Sequence, residues 1–255
     1  GWKSSRADAS KPRMTSPDDL KELAPTGRLR GGVVIAPAAS AFFAVKDGQG
    51  APHGVTVDLL RFFAAQLNLP LDLQLYDNSG EVTDAVANGT CDVGFMPQDA
   101  SRAARVAFGP PYTMIESTYL VPAGSTVQRI AEIDRAGMRI VAIANTTTMR
   151  SARRTAPNAS VREVPNVDEM MALAKAGEGD AFALSKDAFA TILPKLPGAR
   201  VLPGNFQQTG IGVAVPPGRP RALAVVTDLI AAAKNGGVIR RALDAAGFRD
   251  AAVAP

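Results

Sequence analysis

Short apolar runs typical of buried strands alternate with amphipathic helix patterns along most of the chain. Residues 32–36 form one such run, and residues 56–67 carry apolar side chains on one helical face. Thr56 is the expected N-cap of that helix. Residues 71–75 then alternate apolar and polar side chains, the period of a strand. Strand–helix–strand repetition predicts an α/β fold built on a mostly parallel sheet.

The same alternation occurs a second time, over residues 139–193, and a strand and two helix patterns follow up to residue 246. Two extended apolar stretches, residues 118–121 and 209–215, flank this second set and are predicted to be connecting strands. We therefore predict two lobes with a cleft between them, the first of which is discontinuous in sequence. The predicted segments are an N-terminal polar tether (1–22), lobe 1 (23–117 and 210–255) and lobe 2 (118–209).

Charge and aromatic content argue against a nucleic-acid-binding protein. The 255 residues carry a net charge of only +4, and aromatic residues make up 5% of the chain. Nucleic-acid binders concentrate basic residues on one face, with aromatics among them. Arg150, Arg153 and Arg154 form the densest basic run and have helical spacing. We interpret them as a solvated helix face, with a docking or anion-attracting role left open.

Cysteine and histidine are too rare for the common catalytic and metal sites. Cys91 is the one cysteine and His53 the one histidine, so an internal disulfide and a cysteine-based zinc site are excluded. Cys91 is expected to be a small buried residue, and His53 a turn residue. We therefore expect no metal, no cofactor and no catalytic residues. No apolar run is long enough to span a bilayer. Residues 1–21 resemble either the polar segment that follows a removed leader peptide or a segment added for expression.

An arginine in the middle of the chain carries the strongest functional signal. Arg102 lies in SRAARVAFGPPY (residues 101–112), shortly before a short strand with a Pro-Tyr exit. A guanidinium offers a planar two-point clamp to a carboxylate. The arrangement points to capture of a small acid rather than to its transformation. The alternative is a surface salt bridge.

Four motifs in order resemble those of the family 3 periplasmic solute-binding proteins, the polar amino acid class that serves ABC importers. They are QGAPHGVTVDLL (49–60), NGTCDVGF (88–95), SRAARVAFGPPY (101–112) and NGGVIRRALDAAGF (235–248). The resemblance covers residues 23–248. It implies a two-lobed type II periplasmic binding fold, with two mostly parallel sheets joined by a two-strand hinge.

The resemblance also implies ligand-binding residues. Arg102 matches the arginine that holds the ligand carboxylate. Thr147, with Thr146 beside it, matches a turn at a helix start that provides a second anion holder. The aspartate that pairs with the ligand ammonium in amino acid binders falls here at Ser185, and a stacking aromatic falls at Ser40.

These departures suggest that the ligand lacks a free α-amino group. Burying an ammonium without a counter-charge costs several kcal/mol, on the order of 3–5. A substitute carboxylate or amide remains possible at Asn78, Gln98, Asp99 or Glu116.

Aromatic residues give further candidates for the ligand pocket. Phe42, Phe43 and Phe206 are possible new walls, although core packing is the commoner role for such residues. Tyr112 is expected at the entrance of the hinge, where its hydroxyl could contact the ligand.

The expected function is that of a periplasmic binding protein, with its signal peptide removed, that is monomeric and delivers a carboxylate-bearing solute to an inner-membrane ABC permease. We also expect that the protein is not an enzyme and that it has no nucleic-acid partner. Two alternatives remain. One is a dehydratase-like enzyme on the same scaffold, with Glu116 and Asp99 as acid or base. The other is the ligand-sensing domain of a signalling receptor.

Overall fold

The structure, a computed structural model, describes residues 15–35 and 43–255. The chain divides into two compact units. The first takes in the chain up to Met114 together with Gly210–Pro255, and the second is Ile115–Thr209.

The described strands, in chain order, are β1 (Leu29–Val34), β2 (Val45–Lys46), β3 (Pro52–His53), β4 (Leu71–Tyr76), β5 (Val93–Pro97), β6 (Ala107–Val121), β7 (Arg139–Ile143), β8 (Ser160–Val164), β9 (Ala181–Ser185), β10 (Arg200–Val201) and β11 (Gln207–Val215). The described helices are α1 (Pro17–Leu23), α2 (Val55–Leu67), α3 (Ser79–Ala87), α4 (Ala100–Ala103), α5 (Thr147–Thr155), α6 (Val167–Lys175), α7 (Lys186–Ile192), α8 (Pro220–Asn235) and α9 (Val238–Ala245), with 3-10 turns at Ile130–Glu132 and Leu193–Lys195.

The sheet of the first unit has the strand order β4-β1-β5-β11-β6. Strand β1 runs parallel to both β4 and β5, whereas β11 pairs with β5 antiparallel. A small separate hairpin, β2–β3, closes around the turn at Asp47. The α/β architecture predicted from the sequence is confirmed, with a mixed sheet in which β1, β4 and β5 are parallel and β11 is antiparallel.

Helix α2 packs its apolar stripe against this sheet. Leu59, Leu60 and Phe63 are fully buried, and a Cβ at Gly31 of β1 would come within 2.6 Å of Leu60 Cδ1. The glycine therefore allows the helix to approach the strand closely. The predicted cap at Thr56 is wrong, because the helix begins at Val55 and the Thr56 hydroxyl donates to Phe43 O at 2.8 Å from inside the first turn.

The prediction of a polar tether is wrong for residues 17–22, which belong to α1. Ser16 and Asp19 form a reciprocal capping box at its start. Glu22 accepts a hydrogen bond from the backbone N–H of Ala222 in α8 at 2.9 Å. This helix is therefore part of the folded first unit.

The sheet of the second unit has the order β6-β9-β7-β8, with β10 also pairing with β6. Strand β7 runs parallel to β8 and β9, and β6 is antiparallel to β9. Successive strand residues point to opposite faces, so Ile140 joins one apolar cluster with Tyr119, while Val141 joins another with Leu120. The sheet is thus covered by apolar side chains on both faces, as parallel sheets require.

In the part of the chain that the structure describes, no single helix is long and apolar enough to cross a membrane. Helices α8 and α9 would reach that length only together, and they bend by 71° at the break between them.

Candidate functional site

Several predicted site residues follow the carboxyl ends of the parallel strands in the first unit. Asn78 comes after β4, and Gln98 and Asp99 come after β5. Ser40 and Phe42 lie in the segment after β1, outside the described residues. Ligands of open α/β sheets bind at the carboxyl ends of strands, so this edge is the chemically relevant one.

Arg102 lies on α4, the short helix that begins directly after Asp99. The Asp99 carboxylate accepts bonds from the Arg102 backbone N–H at 2.8 Å and from Ser101 Oγ at 2.9 Å, and it forms an ion pair with Arg102 Nη1. Arg102 Nε donates to Thr83 Oγ1 at 3.3 Å. Among the described residues Nη2 has no hydrogen-bond partner, and the side chain is 24% exposed. A short helix and two side-chain contacts thus orient a guanidinium that keeps donor capacity.

Asp99 is ionised at neutral pH. Partial desolvation raises its pKa, but the hydrogen bonds from the Arg102 backbone, Ser101 and the guanidinium together lower it below the ordinary value. The Asp99–Arg102 pair therefore has no net charge, although its arginine still offers N–H groups. The predicted alternative of a salt bridge and the predicted clamp are both compatible with this geometry.

Gln98 and Asn78 have structural partners. The Gln98 side-chain amide donates to Gly109 O at 2.8 Å, and its backbone N–H donates to Gly210 O at 2.9 Å. Gly212 leaves the space that this side chain occupies. Asn78 caps α3 by accepting the Glu81 N–H at 2.9 Å and is exposed. Gln98, directly after β5, is therefore bonded to the adjacent strand β11 and to β6, the next strand beyond it.

The expectation that Tyr112 offers its hydroxyl to a ligand is wrong. Its side chain is fully buried, packed edge-on against Phe95 at a centroid distance of 5.6 Å. Its hydroxyl has no hydrogen-bond partner among the described residues, and burial raises its pKa. The ring belongs to the core of the first unit because the strand alternation points it inward.

Phe43 and Phe206 both contribute to apolar packing. Phe43 is half-buried against the cluster that contains Val82 and Val86. Phe206 stacks on Tyr119, with centroids 4.5 Å apart. Core packing, the commoner role, is therefore what the structure gives for these rings.

In the second unit, α5 and α7 follow the parallel strands β7 and β9. Thr146 caps α5, since its hydroxyl accepts the Met149 N–H at 3.1 Å and donates to Ile143 O at 2.7 Å. Thr147 opens the helix and is exposed. The first-turn N–H groups of such a helix favour an anion. Ser185 precedes α7 and makes no side-chain cap bond.

Glu116 has two partners that sequence reasoning missed. Lys186 Nζ lies 2.7 Å from Glu116 Oε2, and Gln208 Nε2 donates to Oε1 at 2.9 Å. The bond from Lys186 lowers the pKa of the Glu116 carboxyl, desolvation opposes it, and the Gln208 bond and the Lys186 charge add to the lowering. The only sequence signal was the position of Lys186 next to Ser185. We call Glu116, Lys186 and Gln208 the Glu116 cluster.

The remaining sequence expectations concern Cys91, the basic run and metals. Cys91 is buried as expected, and its thiol donates to Gln74 Oε1 at 3.0 Å. Arg150, Arg153 and Arg154 are exposed on α5, and Arg153 pairs with Glu163. Across residues 15–35 and 43–255, no group of three or more His, Cys, Asp or Glu side chains is arranged to hold a metal ion.

Two named relatives share part of this sequence. A glutamine-binding protein of Geobacillus stearothermophilus is 27% identical over 136 residues, which are 53% of this chain and 49% of that protein. An ABC transporter glutamine-binding protein of Bacillus subtilis is 31% identical over 96 residues, which are 37% of this chain and 35% of the relative. The chain thus spans half or less of the length of the curated relatives that it matches.

Solved structures share the fold. The ancestral amino acid-binding protein AncCDT-1, described as a precursor of cyclohexadienyl dehydratase, has a TM-score of 0.65 at 21% identity, covering 89% of this chain and 97% of that chain. A putative ABC transporter binding component from Wolinella succinogenes, complexed with lysine, has a TM-score of 0.67 at 21% identity, covering 86% and 95%.

The sequence family is defined by a longer match. The family model for bacterial extracellular solute-binding proteins, family 3, matches residues 33–245. This region covers the second unit in full and most of the first. It also contains three of the four motifs completely and all but the last three residues of the fourth. The chain belongs to the bacterial extracellular solute-binding proteins, family 3.

Proposed function

We propose that this chain is the solute-binding component of an ABC importer and that it captures a small carboxylate-bearing solute, an amino acid or an organic acid of similar size. The two units would be its lobes, and strands β6 and β11, which both pass from one unit to the other, would be the hinge on which they close. Family membership and the amino-acid-binding relatives support this class of ligand.

The observation that carries the proposal is the state of Arg102. Its guanidinium is oriented by Asp99 and Thr83, is partly exposed, and keeps Nη2 without a partner among the described residues. An oriented guanidinium loses little freedom when it binds a carboxylate. From the second unit, we propose that Thr147 and the first turn of α5 provide donors for the same solute.

The partner and location of the protein follow from the same proposal. An importer component would act outside the cytoplasm and deliver its solute to a membrane permease, in keeping with the extracellular family and with the ABC transporter relative. The dehydratase alternative receives no support from the two carboxylates suggested for it. The pKa values of both Asp99 and Glu116 are lowered, which makes either carboxyl a poor proton donor at neutral pH and also weakens it as a proton acceptor.

Calorimetric titration with L-amino acids, their 2-oxo and 2-hydroxy analogues and small dicarboxylates tests the proposal. We expect at least one of these acids to bind, and Arg102→Met to weaken it by about 30-fold or more, since losing one partner of a charge pair costs roughly 2–5 kcal/mol. Arg105→Met is the matched control, because Arg105 lies three residues on, is 49% exposed and pairs with Asp84.

Arg105→Met should leave affinity within about twofold of the parent, as expected for an exposed ion pair. Binding of none of these acids, or equal losses in the two variants, would contradict the proposal. Thermal denaturation of each variant separates a loss of binding from a loss of folding.

A further inference from the structure

The Glu116 cluster is a second set of charged groups at the proposed ligand-binding edge. Glu116 is 24% and Lys186 40% exposed in their side chains, so the ion pair reaches the surface of the second unit. Both carboxylate oxygens of Glu116 already accept a bond, one from Lys186 and one from Gln208. The negative charge of Glu116 is thus already paired with Lys186, whose ammonium has further N–H groups to donate.

Strand pairing connects this cluster to the first turn of α5. Ser117 follows Glu116 in β6 and lies opposite Ser185 of β9, the residue before Lys186. The Ser117 hydroxyl is 2.8 Å from Thr148 Oγ1, in the first turn of α5. The parallel strands β7 and β9 place α5 and α7 at one edge of the sheet. The cluster and the helix N-terminus therefore belong to the same edge.

We propose that Lys186 sets the selectivity of the solute site by occupying, on Glu116, the position that a solute ammonium group would take. This inference rests on the function proposed above. A solute with a free α-amino group would either displace Lys186, leaving that lysine without its counter-charge, or place a second ammonium beside it on one carboxylate, where like charges repel. A solute with an oxygen there accepts a bond from Lys186 and leaves the pair intact. The preferred class is therefore 2-oxo and 2-hydroxy carboxylic acids rather than amino acids.

A plain surface ion pair is the competing explanation for Lys186 and Glu116. Exposed pairs of this kind contribute little to stability and are common. The two explanations differ in one measurable quantity, the ratio of affinities for an amino acid and for its 2-oxo or 2-hydroxy analogue. A surface pair leaves that ratio unchanged when Lys186 is replaced.

The experiment measures this ratio by calorimetry with matched pairs of acids. The parent protein should bind the oxygen analogue about tenfold or more tightly than the amino acid, and Lys186→Met should shift the ratio about tenfold toward the amino acid by releasing Glu116. Adding Glu116→Gln to Lys186→Met should abolish that shift. Lys175→Met, which removes an exposed lysine of α6 in the same unit, should leave the ratio unchanged.

The outcomes separate this inference from the proposed function. If acids bind in an Arg102-dependent way but the parent prefers the amino acid, or Lys186→Met leaves the ratio unchanged, the role of Lys186 is wrong and the function stands. If no acid binds the parent, both are wrong. Lys186→Gln, which keeps a donor but no charge, serves as the second variant if Lys186→Met does not fold, and a ratio unchanged there also overturns the inference.

Discussion

Replacing Tyr112 with phenylalanine removes a single oxygen atom from the interior of the first unit. The ring keeps its edge-on contact with Phe95, so packing is nearly conserved. The hydroxyl that disappears is fully buried and has no hydrogen-bond partner in the described part of the chain. We therefore expect Tyr112→Phe to stabilise the protein, whereas most substitutions of buried residues destabilise.

The size of the gain follows from the cost of burying an unbonded hydroxyl. Mutational data put that cost at about 1–3 kcal/mol. Removing the oxygen also loses a few dispersion contacts, each worth about 0.1–0.2 kcal/mol. The net expectation is a stabilisation of about 0.5–2 kcal/mol, which raises Tm by about 1–8 °C for a protein of this size.

Urea and thermal denaturation of Tyr112→Phe measure this gain, and Tyr76→Phe is the matched control. The Tyr76 hydroxyl donates to Gln74 Oε1 at 2.9 Å and lies near Cys91 Sγ. Its removal should therefore destabilise by about 0.5–1.5 kcal/mol. Solute affinity should be the same in Tyr112→Phe as in the parent. A loss of stability in Tyr112→Phe, or a lower affinity of this variant for the solute, would show that the Tyr112 hydroxyl forms a hydrogen bond.

Two further predictions concern buried and paired carboxylates. Asp92 is fully buried and accepts hydrogen bonds from the backbone and guanidinium of Arg30. Asp92→Ala should therefore lower the free energy of unfolding, measured by urea denaturation, by about 3–5 kcal/mol. A decrease of less than about 1 kcal/mol would be inconsistent with a buried ion pair. Glu116 has a pKa below its ordinary value of 4.5 in the folded protein, so its pair with Lys186 stabilises fully above that value and ceases to do so as pH falls through the folded pKa. The stability difference between the parent and Glu116→Gln should therefore shrink as the pH falls below about 4.5, and a difference that grows on acidification would reverse the sign of this reasoning.

The regular elements of the fold were predictable because their signals are local. The apolar run at residues 139–143 coincides with β7, and Asn166 caps α6 by accepting the Glu169 N–H at 2.9 Å. The sequence pattern of a strand or of a capped helix can be recognised from a few neighbouring residues. The cap proposed at Thr56 failed because a carbonyl thirteen residues earlier, Phe43 O, takes its hydroxyl.

The candidate site was predictable only in its local parts. Arg102 and the turn before α5 stand out in the sequence, because a short motif positions each of them. Glu116, Lys186 and Gln208 are far apart in the chain, and no local sequence pattern around any of them indicates that they are in contact. The sequence likewise contains no indication that Tyr112, in a motif associated with ligand binding, points inward.

By itself, the sequence determined the α/β class, the order of the strands and helices after α1 and the family, since hydrophobic periodicity and short motifs are properties of neighbouring residues. Only the tertiary structure decided which charged side chains form ion pairs with each other. The antiparallel register of β6 and β9 places Ser117 opposite Ser185, and thereby brings Glu116 to Lys186, 70 positions further along the chain. Pairing and burial depend on register and packing between distant segments, and a reading of neighbouring residues contains neither.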